Sequence, residues 1–381
     1  MSQQCTGSGK DGIFLLYSAI QIWVYATPRG NYMKNTILTS VLFSGVLLVV
    51  PDTVQADDEW TLSTKGGIKL ETKDKDKSFQ IGGRIHWDYD HTDSDNDAKD
   101  KNEFAIRRAR LNFKGKLGDW AYKSQFNLGE DDGGSVEDLY IQYLGFGKKA
   151  KITVGYFKEP FMLEEIESSN DIFMLERSAT NEAWAPKRNG GIMLSGVHGD
   201  LFYAGGYFRD DEEDAESIDK SALTGRVVYA FLNQEETIAH VGASLRFGDE
   251  SDKQGLEVAG RSGNIYAQAE YLAGDISDEQ DEESFYLQAG YLINGTRPYK
   301  SGVFKGVKPN DGTAYEVAIR FEDGYGKYSD LGLGTEKGSQ VGFTVSMYPN
   351  AITRLGASYM VGDTDAGVDG EEFRLRAQVD F

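Results

Sequence analysis

Arginine carries most of the chemistry this chain can offer. Arg84, Arg108, Arg110, Arg374 and Arg376 sit on the polar positions of segments in which apolar and polar residues alternate. A guanidinium presents a planar fork of N–H donors that matches carboxylate and phosphate oxygens. Cations clustered in a confined passage attract anions and raise their local concentration. Lys123 and Arg226 occupy equivalent polar positions. A plainer reading stays open beside this one, in which wall charges keep a passage hydrated and pair with one another across strands.

Other chemistries find little support. His86, His91, His198 and His240 lack the spacing of metal ligands, and no serine sits in a nucleophile elbow, so a catalytic role is not expected. Gly7-Ser8-Gly9-Lys10 resembles part of a phosphate loop but lacks the first glycine, the following Ser or Thr and a preceding strand. Asp93, Asp95, Asp97, Asp100 and Glu103 resemble a calcium loop, yet Ala98 stands where that loop needs glycine and Glu103 falls one place early. Neither a cofactor nor a resident metal is expected. A net charge of −21 over 381 residues argues against nucleic acid as a partner, because nothing offsets repulsion from phosphates. A mean hydropathy of −0.47 argues against a bundle of membrane-spanning helices.

The elements that must position these arginines read as strands. Phe79, Ile81, Ile85, Trp87 and Tyr89 share one face, and Gln80, Arg84, His86, Asp88 and Asp90 the other. This period of two recurs to the last residue, where Phe373, Leu375, Ala377, Val379 and Phe381 alternate with Arg374, Arg376, Gln378 and Asp380. Sixteen such segments are expected, near 78–91, 102–117, 119–130, 135–146, 150–159, 189–198, 201–210, 221–232, 237–248, 254–260, 263–273, 284–294, 313–323, 339–348, 351–361 and 371–381. Long acidic or Gly-rich connections alternate with tight turns such as Gly118 and Gly199-Asp200, the stretch 295–312 being the exception. That pattern predicts an all-β chain, a sixteen-stranded antiparallel transmembrane β-barrel with long extracellular loops and short periplasmic turns. A spanning sheet must close, because lipid cannot satisfy an open edge. Arg107 then interrupts the alternation and points at lipid beside Ala105, Ala109 and Leu111, unless a bulge or a higher membrane position swings it inward.

The N-terminus reads as a targeting segment. Met33-Lys34, the apolar run Ile37 to Val50 and the small-x-small site Val54-Gln55-Ala56 describe a cleaved secretory signal peptide over 33–56. Residues 1–32 are expected to be an upstream extension, residues 57–77 a periplasmic segment and residues 78–381 the barrel, with 160–188 as its long third loop. Cys5, the single cysteine, lies ahead of the cleavage site.

A family resemblance rests on an ordered set of motifs. Gly82-Gly83-Arg84, Arg107-Arg108-Ala109-Arg110, Val136-Glu137-Asp138, Gly155-Tyr156-Phe157, Leu175-Glu176-Arg177-Ser178, Gln268-Ala269-Glu270-Tyr271 and Arg297-Pro298-Tyr299-Lys300 resemble the phosphate-selective porin O and P family. The resemblance implies a homotrimeric porin in the bacterial outer membrane, in contact with its lipid and lipopolysaccharide and passing small anionic solutes such as phosphate. It also implies a third loop that folds into a basic lumen and narrows it, which places Glu164, Glu165, Glu176 and Arg177 at the constriction. The chain departs from the family where Tyr156 replaces the basic residue that follows the glycine of the fifth-segment motif, and where Glu164, Glu165, Glu167 and Asp171 make the third loop acidic.

Closure of the barrel sets the last segment beside the first and the first beside the second. Arg84, Arg108, Arg110, Arg374 and Arg376 then form one basic wall patch, since neighbouring strands lie about 4.8 Å apart. Two other functions remain alongside an anion channel: a general-diffusion porin of weak selectivity, and a non-conducting structural or receptor barrel.

Overall fold

A computed structural model describes residues 59–64, 66–95, 100–129, 134–210, 220–277 and 280–381. The expected extension and signal peptide, and Asp97 and Ala98 of the calcium-like run, lie outside the described residues.

The strands run in chain order as β1 (Trp60–Ser63), β2 (Ile68–Thr72), β3 (Lys77–Ser94), β4 (Lys101–Leu117), β5 (Trp120–Asn127), β6 (Ser135–Tyr143), β7 (Lys151–Lys158), β8 (Arg188–His198), β9 (Leu201–Arg209), β10 (Ser221–Asn233) and β11 (Thr237–Gly248). They continue as β12 (Lys253–Ser262), β13 (Ile265–Ser277), β14 (Gln280–Ile293), β15 (Gly295–Thr296), β16 (Tyr299–Lys300), β17 (Val303–Phe304), β18 (Lys308–Pro309), β19 (Ala314–Lys327), β20 (Thr335–Asn350), β21 (Thr353–Thr364) and β22 (Asp369–Asp380). Sixteen of them, β3–β14 and β19–β22, pair antiparallel with their sequence neighbours and close where β22 meets β3. At the seam Phe381 N–H donates to the Gly83 carbonyl at 3.0 Å and Gly83 N–H to the Phe381 carbonyl. A side chain at Gly83 would collide with the Phe381 ring, its Cβ falling 2.6 Å from the ring edge.

Solvation is inverted relative to a water-soluble domain. On β3 the apolar Trp87 is 58% exposed, whereas His86 and Asp88 on the opposite face are fully buried. The same contrast runs through every barrel strand from β10 onward, as the alternating burial of β22 illustrates. Apolar side chains facing outward around a closed sheet suit a lipid environment.

Three features were not resolved by alternation. Residues 60–72 form a hairpin, β1–β2, whose second strand pairs with the first residues of β3 where β22 no longer reaches. The exceptional stretch between β14 and β19 folds into two short ribbons, β15–β18 and β16–β17. The long third loop holds two short helices, α1 (Leu163–Ile166) and α2 (Ala179–Trp184). Both segments enter the lumen and share an apolar core: Leu163, Phe173 and Met174 of the loop meet Val303, Phe304 and Val307 of the insert and Tyr266, Leu292 and Tyr348 of the wall.

Candidate functional site: the constricted lumen

The third loop is held by arginines from the wall and by one, Arg297, from the insert between β14 and β19. An irregular buried backbone needs donors for its carbonyls, and each guanidinium supplies five N–H groups. From Asp171 to Arg177 every carbonyl accepts one. Arg297 serves Asp171, Arg354 serves Ile172 (3.0 Å), Phe173 (2.7 Å) and Met174 (3.3 Å), Arg376 serves Leu175, and Arg320 serves Glu176 (3.0 Å) and Arg177 (3.2 Å). At the start of the loop Glu270 of β13 accepts the N–H groups of Leu163 (2.5 Å) and Glu164 (3.0 Å). Ser178 caps α2 by accepting from Asn181 N–H at 2.9 Å and donates its hydroxyl to Glu164 at 2.7 Å.

Glu176 gathers the arginines of β4 and β22. Its carboxylate accepts two bonds from Arg108 (2.6 and 2.8 Å), one from Arg107 (3.1 Å) and one from Arg376 (2.5 Å). Burial by itself would raise its pKa, but Arg107, Arg108 and Arg376 together hold the carboxyl well below the usual carboxylate range. Arg376 also pairs with Asp88, and Arg374 with Asp90 at 2.5 Å and with Glu372.

Two bulges make this density of charge possible. The β3–β4 register slips between His86↔Arg108 and Trp87↔Ile106, so Arg107 is the extra residue and its guanidinium turns inward to Glu176. The β5–β6 register slips in the same way between Gln125↔Asp138 and Phe126↔Val136, leaving Glu137 unpaired beside Asp138. Each bulge sends two consecutive charged side chains to the lumen, which a regular strand cannot do.

Glu137 and Asp138 organise a second cluster on the part of the wall that the loop leaves open. Glu137 pairs with Arg110 and with Arg188 at 2.7 Å, and Asp138 with Arg188 at 2.9 Å and Lys123 at 2.5 Å. Lys114 stands directly across from Lys123 in the β4–β5 register and is exposed. From the loop side Glu165 pairs with Lys158 (2.9 Å) and Arg177 (3.4 Å), and Arg84 donates to Ser169 at 2.8 Å and Ser168 at 3.3 Å. Burial alone would raise Glu165, but Lys158 and Arg177 bring its carboxyl down to about 2. Among the described residues Glu167 has no such ion-pair partner. Burial pushes it up to about 8 while Gln268 donates to one of its oxygens at 3.2 Å.

The geometry divides the predicted site residues. Arg84, Arg110 and Lys123 stay partly exposed towards the passage, whereas Arg177, its side chain only 10% exposed, folds back on the loop to pair with Glu165 and to donate to the Glu164 and Glu167 carbonyls. Arg108, Arg374 and Arg376 are neighbours, as barrel closure requires, but they are buried beneath the loop and paired with carboxylates. They do not form a free basic patch, because Asp88, Asp90, Glu372 and Glu176 interleave with them. Arg226 does not line the passage either. It binds Glu257 at 2.6 and 2.7 Å and the Gly302 carbonyl at 2.9 Å, sealed under the β16–β17 ribbon. Glu164 and Glu176 are buried anchors of the loop. Sequence reasoning did not single out Lys158, Arg188 or Glu137 as site residues. Glu137-Asp138 carries the same break in alternation as Arg107-Arg108 and was legible in that way, whereas Arg188 is placed by the exit of the loop, for which periodicity has no signal.

The comparisons agree with this architecture. The family model for phosphate-selective porin O and P matches residues 79–253 and 244–381. The chain belongs to the phosphate-selective porin O and P family. Porin O of Pseudomonas aeruginosa is 24% identical over 404 aligned residues, covering 84% of this chain and 92% of that protein. Among solved structures, an anion-selective porin from Comamonas acidovorans superposes with a TM-score of 0.58 at 14% identity, covering 80% of this chain and all of the other. The trimer form of OmpT from Vibrio cholerae gives 0.54 at 12% identity, covering 80% of this chain and 99% of that one. The chain is therefore an outer-membrane porin channel, and the family argues for a channel rather than an enzyme.

Proposed function

We propose that this porin passes small anions, phosphate among them, by passive diffusion, as a homotrimer exported with a cleaved signal peptide and with its long loops outside the cell. One observation carries the reading. Along the open passage the cations meet solvent more than their partners do. The side chains of Arg110, Lys123, Lys158 and Arg188 are 15–26% exposed, and those of Glu137, Asp138 and Glu165 only 7–9%. An approaching ion meets donors first, so the local potential is positive although the whole chain carries −21.

A weakly selective general-diffusion channel is the second reading. It is favoured by Tyr156 at the fifth-segment motif and by the two carboxylates of the β6 bulge at the passage wall. Planar bilayers separate the two. A salt gradient of potassium chloride across the wild-type channel should give a reversal potential of the sign set by chloride, with conductance arriving in three-step events. A potential near zero favours the second reading. Cation preference or electrical silence defeats the first.

A further inference from the structure

One buried glutamate of the third loop stands without a cation. Glu165 has Lys158 and Arg177, Glu176 has Arg107, Arg108 and Arg376, and Glu164 lies 3.5 Å from Arg320. Glu167 is fully buried and forms no ion pair among the described residues. Its carboxylate accepts one hydrogen bond, from Gln268 to Oε2, and none on Oε1. The guanidiniums of this region are committed elsewhere. Arg297 holds Glu316 at 2.7 Å together with the Asp171 and Lys305 carbonyls. Arg320 holds Glu322 at 3.0 Å together with the Glu176 and Arg177 carbonyls.

The wall against Glu167 is no better satisfied. Gln268 of β13 and Gln288 of β14 stand directly opposite each other in register, and both are buried. Gln268 gives its amide N–H groups to Glu167 and to the Tyr286 hydroxyl at 3.3 Å, which leaves its Oε1 without a donor. Gln288 has no hydrogen-bond partner at either end of its amide. Buried polar atoms are nearly always hydrogen-bonded, and a buried carboxylate is paired or holds a metal ion. Unmatched oxygens of Glu167, Gln268 and Gln288 thus gather where the loop meets two adjacent strands. Glu164 adds a second negative charge that Glu167 feels, and its own Oε1 accepts no hydrogen bond. Turning the Gln288 amide towards Glu167 would supply one N–H group and leave the charge in place.

We propose that Glu167 Oε1, Gln268 Oε1 and Gln288 Oε1 hold a calcium ion that fastens the middle of the third loop to the β13–β14 wall. The donors are all oxygen and mix a carboxylate with neutral amide carbonyls, the kind of set Ca²⁺ gathers among its roughly 6–8 ligands, with water completing the shell. Mg²⁺ demands a shorter and more regular octahedron, and the set holds no imidazole or sulfur to favour zinc. The carboxylate comes from the loop and the amides from the wall, so losing the ion frees the stretch of chain that narrows the passage.

Limited proteolysis of the whole protein in detergent tests it, with cleavage within 160–188 as the readout and calcium chloride added after chelation as the probe. The solution is held at pH 9, where a proton no longer competes for Glu167. At ten times its dissociation constant a ligand lowers the population of the open loop about 11-fold, so calcium should slow cleavage of the wild type about tenfold. Glu167→Gln keeps the shape and removes the charge, and Gln288→Leu removes a wall oxygen without touching the loop. Heat-dependent gel mobility confirms that both variants fold, and calcium should leave their cleavage rates unchanged. Glu371→Gln, exposed on the outer face of β22, controls for ions held by surface carboxylates and should keep the full effect. No slowing of the wild type by millimolar calcium, equal slowing by sodium chloride at the same ionic strength, or the same calcium effect in Glu167→Gln overturns the proposal. Anion selectivity in bilayers is read separately, so either reading can fail without the other.

Discussion

Replacing Glu137 by Gln should make the channel more selective for anions, although the residue lies in a basic cluster. Glu137 is the one carboxylate shared by Arg110 and Arg188, and it is more buried than either. The substitution keeps the size of the side chain and the bulge and removes one negative charge; Arg188 keeps Asp138, while Arg110 loses its carboxylate partner and relies on the amide oxygen and partial contact with solvent. An anion passing about 7 Å away is repelled by that charge by about 0.6 kcal/mol at a dielectric of 80 and about 2.4 kcal/mol at 20. Salt near 0.1 M, with a screening length of about 10 Å, roughly halves this. Anion passage should therefore rise roughly 2- to 7-fold and cation passage fall by the same factor, so the anion-to-cation permeability ratio should rise roughly 3- to 50-fold, by the tenfold-per-1.4 kcal/mol rule. The assay is the reversal potential in a potassium chloride gradient, with heat-dependent gel mobility to confirm that the barrel is intact. An unchanged ratio in a folded variant would refute the idea that the Glu137 cluster faces the ion path, and a shift towards cations would refute its sign.

Further outcomes follow from the same geometry. Arg110→Gln with Arg188→Gln should lower the anion preference by a comparable factor in the same bilayer assay, while Arg226→Gln, sealed beneath the insert, should leave selectivity alone and lower thermal stability. Glu176→Gln leaves the buried Arg108 and Arg376 without their shared anion, a loss of about 3–5 kcal/mol, and should show as protease cleavage within 160–188 under conditions where the wild type resists. Glu167 is raised to about 8 by burial, so the folded state holds its proton where an unfolded chain, near 4.5, has lost it. Its contribution is greatest at low pH and falls away as pH climbs from about 4.5 to about 8. Comparing melting temperatures at pH 6 and pH 9, Glu167→Gln should narrow the gap; an unchanged gap would exclude this carboxyl as its source.

The strands and the closing seam were legible because period two is a local signal that lipid on one side and water on the other impose at every residue. All sixteen expected barrel segments correspond to strands, and of the two ways of placing Arg107, a bulge or a higher membrane position, the β3–β4 register shows the bulge. What alternation cannot carry is distance through the lumen. Whether Arg376 meets solute or the Leu175 carbonyl depends on where a long irregular loop comes to rest, and nothing in the β22 pattern encodes that. The same holds for the insert between β14 and β19. Its Val303 and Phe304 are apolar for a core that exists only once two distant segments meet. Arginine type marks where donors gather, but most of the acceptors these arginines meet are carbonyls and carboxylates of the chain itself.

The two bulges bear on how such a wall can change over generations. In an ordinary strand, losing one residue rotates every later side chain to the wrong side of the sheet. At Arg107 or Glu137 the flanking residues already stand in phase with their partners, so excising the extra residue leaves the neighbours in place and subtracts a single charge. Codon gain or loss at these two points is a route by which the chain can retune its preference for solutes without re-registering the remaining strands.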